Sequence, residues 1–178
     1  MSTPALHPRI HEVIAALEDA QRETEALLAM LTPADEARRL GDGWTVAQVL
    51  EHMAIVESGA GRVVSTIAKQ VADQPEVSDE PVAPSVLRFK VADPTVRKVT
   101  APDMVQPVQG SPVAESAEQM RTARARLIAA FVAASGRALG QAHFPHPLFG
   151  PLDGYQWGHL AAQHQLRHLV QIRTILAS

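Results

Sequence analysis

Apolar residues recur at three- and four-residue spacing in four stretches of the chain, the pattern of amphipathic helices. The first predicted helix covers about 8–31, with Ile10, Val13, Ile14, Leu17, Ala20, Thr24, Leu27, Leu28 and Leu31 on one face. Pro8 suits its first position, where the missing N–H is not needed. A connection over 33–43 leads to Thr45, a predicted N-cap, and to a second helix over about 46–71. The third runs from Ser111 as N-cap and Pro112 as first residue to about Gly136, where glycine supplies the stop. The fourth covers about 152–176.

Between 72 and 112 the helical period is lost, and seven of the 13 prolines fall there. Proline breaks helices and central strands alike. The segment also carries Val86, Leu87, Phe89 and Val91, so it reads as an ordered crossover rather than a solvated linker. Short, long and short connections predict an all-α, up-down-down-up four-helix bundle, with a proline-rich crossover between helices 2 and 3. The 178 residues suffice for a single domain, 1–178, with a real core.

Composition narrows the chemistry. The net charge of −3 gives no field that would draw nucleic acid. No basic stretch leads into an apolar run at the start, and no run approaches the roughly 20 residues of a membrane span. A cytoplasmic protein without membrane or nucleic-acid partners is the expectation. The absence of cysteine excludes disulfides, zinc–thiolate sites and a cysteine nucleophile. A metal would have to be held by histidine, carboxylate or water.

The fourth helix places His164 and His168 one turn apart on its core-facing side. His52 lies on the core-facing side of the second helix. A buried ring nitrogen left unpaired costs about 1–3 kcal/mol. Three inward imidazoles would be hard to satisfy among aliphatic neighbours, whereas a shared metal satisfies one nitrogen of each. The other nitrogen would donate to a partner such as Gln48 or Gln171. Against this, a lone histidine on an apolar face is usually a packed core residue, and an HxxxH pair by itself is weak. The pair also lacks the glutamate of an HExxH protease motif.

The run WTVAQVLEH over 44–52 resembles the W-[ST]-x-x-[EQ]-x-[LV]-x-H signature on the second helix of the DinB-like (DinB/YfiT) superfamily of metalloenzymes. The run HPLFG over 146–150, with Trp157, His164, Arg167, His168, Gln171 and Ile172, resembles the fourth-helix signature of the same superfamily. The likeness spans essentially the whole chain. It implies the up-down-down-up bundle, with His52, His164 and His168 as the three metal ligands. Some members of that superfamily transfer or isomerise with low-molecular-weight thiols such as bacillithiol or mycothiol.

The remaining histidines are read as peripheral. His7 and His11 lie at a solvated terminus, His159 is off the metal face, and His143 and His146 sit in the loop before the last helix, read as simple loop residues with lining of the pocket mouth as the alternative. Trp44 and Trp157 are read as core anchors, and Arg167 as a partner in an inter-helix salt bridge. Glu51 and Glu57 point off the face of His52, so no carboxylate base is expected.

Three neutral imidazoles would leave a divalent transition metal, zinc or nickel, with its full charge and an open position. A water there can reach a pKa of about 7, and a thiol can bind as thiolate. The expected function is a metal-dependent enzyme with thiol S-transferase-like or hydrolase-like chemistry on a small molecule, with a low-molecular-weight thiol as cofactor or substrate. The alternative is a non-catalytic metal- or small-ligand-binding bundle, stress-related or homodimeric through an exposed helix face. The pocket is expected to open toward the crossover.

Overall fold

The computed structural model describes residues 6–96, 100–108 and 110–178. Four long helices form the body: α1 (Pro8–Leu28), α2 (Val46–Gln70), α4 (Val113–Ala133) and α5 (Gly154–Leu176). A short helix, α3 (Ala83–Leu87), and a 3₁₀ turn (Asp103–Val105) lie in the segment between α2 and α4. An antiparallel hairpin, β1 (His143–His146) and β2 (Gly150–Asp153), precedes α5. The structure is a mostly helical bundle, and the hairpin is a departure from the all-α expectation. Its register pairs Pro145 with Pro151. Neither proline has an N–H, so that pair tolerates them only as a non-hydrogen-bonded one.

Local chemistry sets the helix boundaries. Pro8 occupies the first position of α1, and His7 is its N-cap, accepting from Arg9 N through Nδ1. His7 is therefore a structural cap rather than part of a loose terminus, while His11 is exposed. Thr45 caps α2 in a reciprocal box: Gln48 N donates to Thr45 Oγ1 at 3.2 Å, and Thr45 N donates to Gln48 Oε1 at 2.9 Å. Asp153 and Gln156 form the same box on α5. The first helix stops at Leu28, three residues before the expected end. The third long helix begins at Val113 with Pro112 as its N-cap, and Ser111 makes no cap. There the side chain of Glu36 receives Val113 N at 3.4 Å.

Two apolar clusters fill the interior. Leu27, Val46, Val49, Leu50, Met53, Met120, Leu169, Ile172 and Ile175 gather at one end. The larger cluster at the other end includes Ile10, Val13, Leu17, Val64, Ile67, Leu127, Phe131, Leu139, Leu152 and Tyr155. Packing there is close enough that a methyl group at Gly158 would overlap the Phe131 ring and Val13. Burying a side chain of this size stabilises by roughly 1.5–3 kcal/mol, so both clusters matter.

Along α2, α4 and α5, residues Glu57, Arg124 and Gln165 fall between the two clusters, and all three are buried. Arg124 Nε donates to Glu57 Oε1 at 2.5 Å and Nη2 to Glu57 Oε2 at 3.2 Å. Its remaining donors reach Gln165 Oε1 and the Leu17 carbonyl of α1. This polar layer ties all four long helices together.

The segment between α2 and α4 is fastened at several points. Glu12 of α1 accepts from Val82 N and Ala83 N at 2.8 and 2.7 Å, capping α3. Glu51 of α2 accepts from the backbone N–H of Val108, Gly110 and Ser111 at 3.1, 2.6 and 3.2 Å. Gly110 has φ +65°, and an added Cβ would lie 3.1 Å from Gln48 Cγ, so both the turn and the close approach favour glycine.

Candidate metal centre

His52 comes from the second turn of α2, and His164 and His168 from the middle of α5. α2 and α5 pack side by side, which brings the three rings together. His164 Nε2 lies 3.2 Å from His52 Nε2 and 3.1 Å from His168 Nε2. One ligand atom from each ring lies within 4.8 Å of the others. Nitrogens bound tetrahedrally to one ion at 2.0–2.1 Å would be about 3.3 Å apart. The two separations to His164 fit that requirement, and the His52–His168 pair lies within 4.8 Å. His52 and His168 are buried, and His164 is half-buried.

The far nitrogens fix the tautomers. His52 Nδ1 lies 2.6 Å from the Val105 carbonyl, which can only accept, so that nitrogen carries the proton. His168 Nδ1 lies 2.7 Å from Gln171 Oε1 and donates in the same way. Both Nε2 atoms therefore present lone pairs toward His164 Nε2. His164 can offer them at most one proton, so the neutral set cannot satisfy itself. A cation at the meeting point would resolve the conflict.

The rings stay neutral under ordinary conditions. Burial holds His52 below its usual 6.5, against the pull of the Val105 carbonyl, which favours the charged form. Burial lowers His168 to about 3, helped by charge on His52 and Arg167 and opposed by Gln171. Burial also takes His164 well below 6.5, reinforced by His168, His52, His146 and Arg167. Neutral imidazole is the form that binds metal.

The structure redistributes several expected roles. Gln171 is the partner of His168, as anticipated, but Gln48 is occupied in the α2 capping box and the Val105 carbonyl serves His52 instead. Arg167 reaches the carbonyls of Val91 and Asp93 at 3.2 and 2.9 Å, so it fastens the α2–α4 segment where an inter-helix salt bridge was expected. His159 is buried rather than peripheral, away from the three-histidine cluster. Trp44 is half-buried, with its ring centroid 4.9 Å from that of His52. His146 lies in the hairpin close enough to act on His164. A backbone carbonyl leaves no trace in a residue pattern, so nothing in the sequence could have pointed to Val105. His146 could have been weighted more heavily for its place in the HPLFG run.

These residues could hold a metal ion. Glu51 and Glu57 do not join the cluster; the first holds backbone N–H groups and the second holds Arg124.

Comparison with known proteins agrees with the fold. A crystal structure described as that of TT2238, a four-helix bundle protein, is similar over 95% of this chain and 99% of that one, with a TM-score of 0.61 and 25% sequence identity. No curated protein matches the chain. The family model for the DinB superfamily matches residues 16–172, and the chain belongs to that superfamily.

Proposed function

We propose that this protein is a metal-dependent enzyme acting on a small molecule, with His52, His164 and His168 as ligands of a divalent transition metal, zinc or nickel. The observation that carries the reading is the convergence of three neutral Nε2 atoms that cannot satisfy one another. When bound, such an ion keeps its full charge and supplies a Lewis-acid position for a thiol or a water. The chain's own residues orient the ligands: the Val105 carbonyl and Gln171 hold the Nδ1 protons of His52 and His168 in place. S-transfer involving a low-molecular-weight thiol is favoured over hydrolysis. Hydrolysis benefits from a carboxylate base, and Glu51 and Glu57 are both engaged elsewhere.

The reading takes residues 1–178 as one domain whose long helices run up, down, down and up. Supporting that course, the end of α1, the starts of α2 and α4 and the end of α5 contribute to one apolar cluster. Arg38, just before α2, also donates to the carbonyl of Leu176 at the end of α5 at 2.9 Å.

The test is metal analysis of the wild type and of His52→Ala, His164→Ala and His168→Ala. Stoichiometric zinc or nickel in the wild type and its loss in each variant are expected; equal metal in all four would sink the reading. Metal-dependent turnover in a panel of thiol acceptors, set against a panel of esters, then separates S-transfer from hydrolysis. Bound metal without turnover in either panel would favour a non-catalytic binding protein.

A further inference from the structure

The chain has only two tryptophans, one tyrosine and four phenylalanines. Tyr155 and Phe131 are fully buried in the larger apolar cluster. The other five are only partly covered or exposed. Trp44 flanks His52. On the hairpin side, ring contacts run without a break: Phe89 to Phe149 at 4.6 Å, Phe149 to His146 at 4.8 Å, His146 to Trp157 at 5.0 Å and Trp157 to Phe144 at 6.2 Å. Trp157 precedes His164 by seven residues, two turns, so both lie on the same face of α5. Two turns are about 10.5 Å along the axis, and His146 of the cluster stands near enough to His164 for its charge to act there.

Tyr155 and Phe131 are covered on all sides, whereas Phe89, Phe149 and Trp157 back onto the same cluster and keep part of their surface open. The aromatic group thus keeps exposed surface near the least buried of the three histidines. Binding sites for small molecules combine such apolar and aromatic walls with a few placed polar groups. His146 supplies one. Its Nδ1 accepts from Leu148 N at 3.1 Å, so in the neutral ring Nε2 carries the proton and is a donor. The Trp157 indole N–H is already held by the Phe144 carbonyl at 3.2 Å, which fixes the ring plane.

We infer that the aromatic cluster built around His146 and Trp157 is the recognition subsite of the three-histidine centre and takes a planar apolar group, an aromatic or conjugated ring, of its substrate. The inference rests on the metal-dependent reading for the reaction but names its own ligand chemistry. Rings stack face-offset or edge-on against such a wall, which a saturated ring of equal size does less well.

The experiment is ligand-observed NMR on the full chain, metal-free and zinc-loaded, with 2-naphthol and its saturated counterpart decahydro-2-naphthol. Wild type, Phe144→Ala, His146→Ala and Phe149→Leu are compared, with metal content measured on every sample. 2-Naphthol is expected to bind wild type about tenfold more tightly than the saturated probe and than it binds each variant. Metal content should be unchanged by the three substitutions. Equal affinity for the two probes, or unaltered 2-naphthol binding in the variants that fold, would overturn the subsite. A wild type that takes up no metal but still discriminates the probes would overturn the metal reading and leave the subsite standing.

Discussion

Arg124 and His164 both bring nitrogen donors into the interior of the bundle, and their surroundings answer them differently. Arg124 finds a carboxylate, an amide oxygen and a helix carbonyl, so its charge and its donors are matched within the chain. His164 finds the lone-pair nitrogens of two other imidazoles. A buried polar cluster that completes itself is a structural layer. One that leaves like partners facing each other could hold a cation between them. Burial alone does not separate the two; the donor and acceptor count does.

The sharpest way to break this comparison is to remove Arg124. Arg124→Met strands the Glu57 carboxylate in the interior, and urea unfolding should show a loss of about 3–5 kcal/mol. His164→Ala in metal-free protein should cost clearly less; an equal loss would erase the distinction. Next in size is the response to zinc. At one hundred times its Kd, zinc should raise wild-type stability by about 2.7 kcal/mol, and the effect should vanish in His52→Ala. Gln171→Ala follows, with metal affinity falling about 10- to 100-fold in a competition titration while metal-free stability changes little. Unchanged affinity would show that the hydrogen bond to His168 does not orient the ligand.

Acid supplies a further test, on the metal-free protein. His52, His164 and His168 have folded-state values below the ordinary 6.5, that of His168 near 3. Below pH 6.5 the unfolded chain takes up protons that the folded chain refuses, so stability falls as pH drops toward the folded value. The slope is at most about 1.4 kcal/mol per pH unit for each such histidine. Unfolding of metal-free wild type between pH 6.5 and 4 should show this decline, and His168→Ala should make it shallower. A wild-type curve level over that range would contradict the depressed values.

The long helices were legible because they depend on periodicity. Periodicity also put His52, His164 and His168 on inward faces, but their meeting in one site was implied by the resemblance of 44–52 and 146–172 to the DinB-like signatures. Thr45 and Pro8 were legible because a cap and a first-turn proline act through their nearest neighbours in sequence. The hairpin was not: its pairing strands carry Pro145 and Pro151, which lower the strand signal, and only the register makes them acceptable. Arg124 and Glu57 were equally obscure. A lone charged residue in a helical repeat reads as part of the solvated face, and only the third dimension pairs it across two helices. The carbonyl of Val105 belongs to the backbone, so its role follows from the path of the chain and from no side chain.

Glu51 and His52 are consecutive residues, and both grip the α2–α4 segment through its main chain: Glu51 at the N–H groups of Val108, Gly110 and Ser111, His52 at the carbonyl of Val105. Around Val105 and Val108 the hold is on the main chain, whereas further back Val82, Val86 and Val91 are held by burial of their side chains. Residues such as Met104 and Val108 are free to vary while the path they follow stays the same. Substitution at Met104 or Val108 should therefore leave both the path of the chain and the carbonyl on His52 in place, because what is gripped there is common to every residue type.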